Sequence, residues 1–387
     1  MSFSGRRGEF LKMLVAGSLY QIPTFGFYRF WLTTKLRRHL WANTQIAGEP
    51  FEYTGTAKEL LIGFLIALAV LAPLYIVVFV LSFVLEERAA FASIPLILVM
   101  YVLVHFGSYR ARRYRATRTV FRGVRFWMQG SGWAYALRAI LWDFANLFTL
   151  GLAWPWAAAS LERYRMRHTY FGNVQGDFSG TGWTLFKRGV GIWALGLIVL
   201  GGAIASSVHL AKLYPEYKEI LPLIGSSIAL AIIALLWPFA MAIFTRWHID
   251  GLRFGETVVS SSLKARSYYA LFLKMSFAWI GFGIFANGVG FVGFYVLIKY
   301  FGFDTTHLSK ENWTLGGFIA IAAFYLFLMI GLGVIRRYFL GRGLWAAVVK
   351  TTRVSSLHAA DAAIAAGRPA GVMGEGLADA LDFNVGI

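Results

Sequence analysis

The chain has 387 residues, of which 58% are hydrophobic and 14% charged, with no cysteine and a net charge of +18. Soluble chains are about 45–50% apolar and about 25% charged, so an ordinary soluble domain is excluded, and the lack of cysteine excludes disulfides, thiolate zinc sites and cysteine nucleophiles. The surplus Lys and Arg lie between long apolar runs, which points to anionic lipid heads and away from a nucleic-acid partner.

In chain order, residues 1–9 show no apolar core followed by a small-residue cleavage site, so no cleaved signal peptide is expected. Segment 11–32 is apolar but interrupted by Lys12, Gln21, Pro23 and Arg29. Segments 60–85 and 91–108 follow, both without Asp, Glu, Lys or Arg inside. A basic stretch, 109–133, then carries Arg110, Arg112, Arg113, Arg115, Arg118, Arg122 and Arg125 with no acid. Segment 133–160 is broken by Arg138, Asp143, Asn146 and Pro155, and a second basic stretch holds Arg163, Arg165, Arg167, Lys187 and Arg188. Segments 189–208 and 221–244 lead to a third, with Arg246, Arg253, Lys264, Arg266 and Lys274. Segments 275–298 and 315–335 complete the series before Arg336, Arg337, Arg342, Lys350 and Arg353.

A helix needs about 20 apolar residues to cross the hydrocarbon core. Residues 60–85, 91–108, 189–208, 221–244, 275–298 and 315–335 meet that need. The other connections, at Glu86-Glu87-Arg88, around Lys212 to Glu219 and around Lys299, Asp304, Lys310 and Glu311, are acidic or balanced. The positive-inside rule therefore puts the basic stretches and both termini in the cytoplasm. Segment 133–160 has a basic stretch on each side, so it enters and leaves on one side. The same parity holds for 11–32, between Arg6-Arg7 and Lys35, Arg37 and Arg38. The expected fold class is all-α membrane: a polytopic bundle of about six transmembrane helices plus two re-entrant or interfacial helical hairpins, with small cytoplasmic β-hairpins. Eight full spans are the alternative.

One pattern recurs. Thr24-Phe25-Gly26 is followed by Trp31, Arg38, Thr44 and Phe51, and Thr149-Leu150-Gly151 by Trp156, Arg163, Thr169 and Phe178. Partial copies run Arg113, Thr119, Gly123, Phe126 and Gly251, Arg253, Phe254, and Arg336-Arg337-Tyr338 opens a fifth. Short β-prone runs around a Gly, such as 44–47 and 51–54, read as hairpins. The expected units are 1–133, 134–275 and a truncated 276–387 with two spans and a cytoplasmic tail.

The run Phe30-Trp31-Leu32-Thr33-Thr34-Lys35-Leu36-Arg37-Arg38-His39-Leu40-Trp41, then Asn43-Thr44 and Phe51-Glu52-Tyr53-Thr54-Gly55-Thr56, resembles the YjgN family of bacterial inner-membrane proteins. The ending Gly374-Glu375-Gly376-Leu377-Ala378-Asp379-Ala380-Leu381-Asp382 is similar to that family's C-terminus. The resemblance covers nearly the whole chain. It implies a bacterial inner-membrane location and no particular chemistry.

Residue chemistry offers few sites. The histidines (His39, His105, His168, His209, His248, His307, His358) show no metal-ligand spacing, and no Walker-type loop is present. Neither metal nor cofactor is expected, and no catalytic residue stands out. Gly281, Gly283, Gly288 and Gly290 suit close helix packing. Without charge inside the six segments, and with Asn287 their main polar group at mid-depth, an ion-driven transporter is disfavoured. Arg138, Asp143 and Asn146 form the candidate intramembrane polar site. Arg pairs bidentately with phosphate, so Arg37, Arg38, Arg112, Arg113, Arg163, Arg165 and Arg167 are the candidate contacts for anionic headgroups. Membrane lipids are the expected partners. The expected function is non-enzymatic transport or binding of a ligand such as a lipid at the cytoplasmic face. A membrane scaffold recruiting cytoplasmic partners is the alternative, and an integral lipid-modifying enzyme the second alternative.

Overall fold

A computed structural model describes residues 1–84, 89–301, 315–367 and 371. Glu86-Glu87-Arg88, the connection around Asp304, Lys310 and Glu311, and the stretch 374–382 lie outside them.

The chain opens with strand β1 (Ser2–Phe3) and a hairpin of two short helices, α1 (Arg7–Leu19) and α2 (Arg29–Ala42). Strands β2 (Thr44–Ile46) and β3 (Glu49–Tyr53) lead into α3 (Ala57–Val84) and α4 (Ala89–Thr117), then β4 (Thr119–Phe121) and β5 (Val124–Met128). A second short hairpin, α5 (Gly132–Phe148) and α6 (Trp154–Arg167), precedes β6 (Thr169–Phe171) and β7 (Val174–Phe178). Helices α7 (Gly182–Leu213) and α8 (Ile220–Gly251), strands β8 (Leu252–Phe254) and β9 (Thr257–Ser261), and helices α9 (Ala265–Phe301) and α10 (Leu315–Arg336) follow. A π-helical turn, Arg337–Gly343, then joins α11 (Leu344–Thr351), β10 (Thr352–Ser355) and one turn, α12 (His358–Asp361).

Among the described residues, six helices are long and apolar enough to cross a membrane: Ala57–Leu81, Ile94–Thr117, Gly182–Leu213, Ile220–Gly251, Ala265–Val296 and Ile321–Thr351. They pack as antiparallel pairs, α3 on α4, α7 on α8 and α9 on α10. Small residues permit this approach: Gly225 sits against Ser207, Gly290 against the Phe324 ring, and Gly331 under the Phe282 ring. Gly281, Gly283 and Gly288 face open space. Little of the six helices is covered by protein, and Phe79, Phe83, Ile284 and Phe291 are exposed along them. Their solvent is therefore hydrocarbon.

The expected all-α class is overturned. Ten strands form one antiparallel sheet in sequence order, β1 to β10. The hairpins are not small separate units, because β3 pairs β4, β5 pairs β6 and β7 pairs β8 across the intervening helices. Each hairpin turns in two residues, as in Ile46↔Glu49 and Phe121↔Val124. At Ala47-Gly48 and Arg122-Gly123 both turn residues have positive φ. Such turns carry the twist that lets flanking strands pair without splaying. The sheet curls until its ends approach: the Met1 ammonium donates to the Thr352 carbonyl at 3.1 Å.

Because the strands share one sheet, every helix that feeds a hairpin ends on the same side. Segments 11–32 and 133–160 leave that side and return to it as the helical hairpins α1–α2 and α5–α6. Their turns are built alike. The Thr24 hydroxyl donates to the Tyr20 carbonyl and accepts the Tyr28 N–H, while the Gly26 N–H reaches the Gln21 carbonyl. The Thr149 hydroxyl, the Ala153 N–H and the Gly151 N–H repeat those bonds on Ala145, Thr149 and Asn146. Gly26 and Gly151 have φ of 84° and 82°, the left-handed region that favours glycine. The tips are apolar and bare, with Phe25 93% and Phe148 83% exposed, which suits immersion in lipid.

Many of the arginines in the basic stretches sit on helix ends. Helix α4 runs on through Arg110, Arg112, Arg113 and Arg115, and α6 carries Arg163, Arg165 and Arg167. A threonine begins the strand after four of these helices. Its hydroxyl takes a last-turn carbonyl: Thr44 on Leu40, Thr119 on Arg115, Thr169 on Arg165 and Thr352 on Val348, at 2.8–2.9 Å. Each bond satisfies a carbonyl that the helix end leaves orphaned, worth about 1 kcal/mol. Arg336-Arg337-Tyr338 lies at the π-helical turn, and a single strand follows α11 in place of a hairpin.

Candidate functional site

Side chains alternate across a strand, so one face of the curled sheet is concave. Thr119 and Phe121, Leu252 and Phe254, and Thr257 and Val259 point inward at period two. With Ile46, Phe51, Phe126, Phe171 and Val174 they wall a cavity of about 390 Å³. Its floor is made by Trp41 and Ile249, from the last turns of α2 and α8, and by Trp345, Val348 and Val349 of α11. Trp41 and Trp345 stack with ring centroids 4.8 Å apart. Ile46, Phe121, Phe171, Val174, Phe254 and Thr257, each beside a hairpin turn, line its other end.

The few hydroxyls in the wall are already bonded. Thr44, Thr119 and Thr352 donate to helix carbonyls, and Thr257 donates to the Ser356 carbonyl at 2.8 Å. Thr44 and Thr119 also accept the indole N–H groups of Trp345 and Trp41, each at 2.9 Å. The lining contains no titratable side chain. The Met1 ammonium also reaches the lining, where it donates to the Thr352 carbonyl. A cavity of this size and polarity is the range in which proteins hold small apolar ligands.

The sequence-predicted arginines lie on the helix ends that carry the sheet, and six of the seven touch the protein's own acceptors. Arg37 donates to the Tyr53 hydroxyl and Arg38 to the Gly55 carbonyl. Arg163 makes the corresponding bond to the Gly180 carbonyl and a second to Phe178. Arg167 pairs with Asp177 at 3.1 Å. Arg112 grips Glu162 through both terminal nitrogens, at 3.1 and 2.6 Å, and Arg165 holds it from one turn further along at 2.7 Å. The Nε of Arg113 is buried without a hydrogen-bond partner. Glu162 is 1% exposed, with His248 3.8 Å away. Burial alone would raise its carboxyl, but Arg112, Arg165 and His248 together hold it well below the usual carboxylate range. Glu162 thus ties α4, α6 and α8 at one point. His39, buried beside Arg342 and Glu9, is pulled below the ordinary histidine value, chiefly by burial.

The intramembrane candidates divide. Asp143 accepts the Tyr101 hydroxyl at 2.6 Å and lies 3.0 Å from His105 Nε2. Arg138 lies instead over the Tyr164 ring, 4.7 Å from its centroid. The Oδ1 of Asn146 is buried without a hydrogen-bond partner. The structure does not bring Arg138 onto Asp143. Among the described residues there is no group of three or more potential metal ligands.

The cavity was missed in the sequence because its residues come from all parts of the chain. The signal available was alternation within each short strand, Thr-x-Phe in 119–121 and Leu-x-Phe in 252–254. Its inward sense depends on pairing between strands separated by whole helical segments.

A family model described as a bacterial protein of unknown function (DUF898) matches residues 1–380. A relative from Salmonella typhimurium, named inner membrane protein YjgN, is 25% identical over 129 residues, covering 33% of this chain and 31% of the relative. A protein of the same name from Escherichia coli O157:H7 is 30% identical over 129 residues, covering 32% of this chain and 29% of the relative. The match thus spans less than a third of the length of these curated relatives. No solved structure matches the chain.

Proposed function

The chain belongs to the DUF898 family of bacterial proteins of unknown function, and we propose that this multi-pass inner-membrane protein binds the hydrocarbon part of an amphiphile in the sheet-lined cavity, at the cytoplasmic face. The observation that carries the reading is the cavity wall, aromatic and aliphatic, with every lining hydroxyl already bonded within the protein. Such a wall offers water few hydrogen bonds, and apolar cavities stay dry or take apolar guests. The positive-inside rule supports the orientation, because the basic helix ends all lie on the sheet side. A binding role, in preference to catalysis, is supported by a lining whose side chains carry no acid or base.

Native mass spectrometry of the detergent-extracted protein tests this. One class of amphiphile is expected to stay with the chain, and the cavity-filling variant Val259→Phe is expected to lose it. A random mixture of lipids, unchanged in Val259→Phe, would overturn the reading.

A further inference from the structure

After β10 the chain runs along the cavity from β9 to the β4–β5 and β6–β7 turns. The Ser356 carbonyl accepts the Thr257 hydroxyl, and Leu357 joins the lining. One helical turn later, closed by the Asp361 N–H on the Leu357 carbonyl at 3.1 Å, the Asp361 carboxylate meets Arg122 at the β4–β5 turn. The Ile364 N–H then donates to Asn173 Oδ1 at the β6–β7 turn, at 2.9 Å. This strap is thus anchored on β9 and on two turns that lie well away from β9 in the sheet order.

Arg122 is the cation that the strap meets. Its Nε donates to Glu49 at 2.6 Å, and its guanidinium carbon sits 5.5 Å from the centroid of Phe121, a ring that lines the cavity. Leu357 and Asp361 therefore present, in sequence, an apolar group to the cavity and a carboxylate to the cation at its mouth.

We propose that the cavity's ligand is an amphiphile with a hydrocarbon chain and an anionic head, and that its head takes the place of Asp361 on Arg122 while its chain takes the place of Leu357. The ligand enters by releasing the strap, so binding and opening are one event. The exchange keeps the charge at Arg122 balanced, one anion for another, with Glu49 in place throughout. The cavity's side chains are apolar or already bonded, and its Met1 ammonium is engaged by the Thr352 carbonyl, so the head is placed at the mouth, on Arg122. The proposal rests on the reading of the cavity as a hydrocarbon site.

The test uses the full detergent-extracted chain and a long-chain fatty acid carrying a mid-chain diazirine. Its methyl ester and a phosphatidic acid with the same chain serve as further probes, and adducts are mapped by peptide mass spectrometry. The acid is expected to label the cavity wall. Asp361→Asn should raise that labelling by up to about fivefold, the scale of one exposed charge pair. Arg122→Gln should lower labelling by the acid and leave the ester unchanged. Dependence on Arg122 shared by the phosphatidic acid identifies a bilayer lipid as the source, and dependence confined to the fatty acid identifies a free acid. No response to Asp361→Asn, or equal loss of acid and ester in Arg122→Gln, overturns the strap exchange and leaves the cavity reading standing. Failure of acid and ester alike to label the cavity, with Val259→Phe also without effect, overturns both.

Discussion

Replacing Glu162 with Gln leaves Arg112 and Arg165 facing a neutral amide in a site that water reaches poorly. Removing one partner of a buried pair costs about 3–5 kcal/mol, so Glu162→Gln should sharply lower the thermal stability of the detergent-solubilised protein. Glu162 has a depressed folded pKa. Its contribution is therefore complete above the ordinary carboxylate range, about pH 4–5, and is lost as pH falls through the depressed value. The gap between wild type and Glu162→Gln should shrink in acid; a gap constant down to the lowest pH measured would contradict this assignment. His39 works in a higher window. Its folded pKa is lowered, so stability is complete above about pH 6.5 and falls below it, as the unfolded chain takes up the proton more readily. Melting curves of His39→Gln between pH 5 and 7 should be flatter than those of the wild type. None of this was legible at residue level from sequence. Glu162 drew no attention, and the arginines read as lipid contacts, because their partners (Tyr53, Gly55, Glu162, Gly180) lie across strand and helix boundaries.

At the scale of elements, the Thr-x-Gly turns decide where two helical hairpins reverse. Gly151→Ala forces a Cβ into the left-handed region, at a cost of about 1 kcal/mol or more. Thr149→Val also removes two hydrogen bonds that close the turn. Each should lower the melting temperature, and the double variant should lose less than the sum of the two, since both act on one turn. Strict additivity would say that the two residues act apart. These turns were visible in the sequence as paired motifs at identical offsets from Trp31 and Trp156, and the segments 11–32 and 133–160, which charge parity turned back, form the helical hairpins α1–α2 and α5–α6. The hairpin strands were visible too, at 44–47 and 51–54. Their joining was not. The period-two pattern within three to five residues states which face is apolar, but not which strand lies beside it, and here the neighbours β3 and β4 are separated by two long helices. That gap in local information is why an all-α class was expected and a ten-stranded sheet was found.

For the whole molecule, three pairs of long apolar helices and two short hairpins carry one curled sheet. The account predicts a single basic side. With no native cysteine to interfere, cysteines placed at Ser131 and at Asn173 should both react with a membrane-impermeant maleimide only when the cytoplasmic face is open; labelling of Ser131→Cys from the periplasm would break the topology. A hydrocarbon guest on the concave face of the sheet shields the residues that line it. Val174 and Gln175 are adjacent on β7, the first lining the cavity and the second exposed on the opposite face. The most direct measurement is the rate at which N-ethylmaleimide modifies Val174→Cys and Gln175→Cys in the extracted protein, with and without added palmitate. Palmitate is predicted to slow the reaction at position 174 and leave 175 unchanged. Equal rates at 174 with and without palmitate would contradict the account.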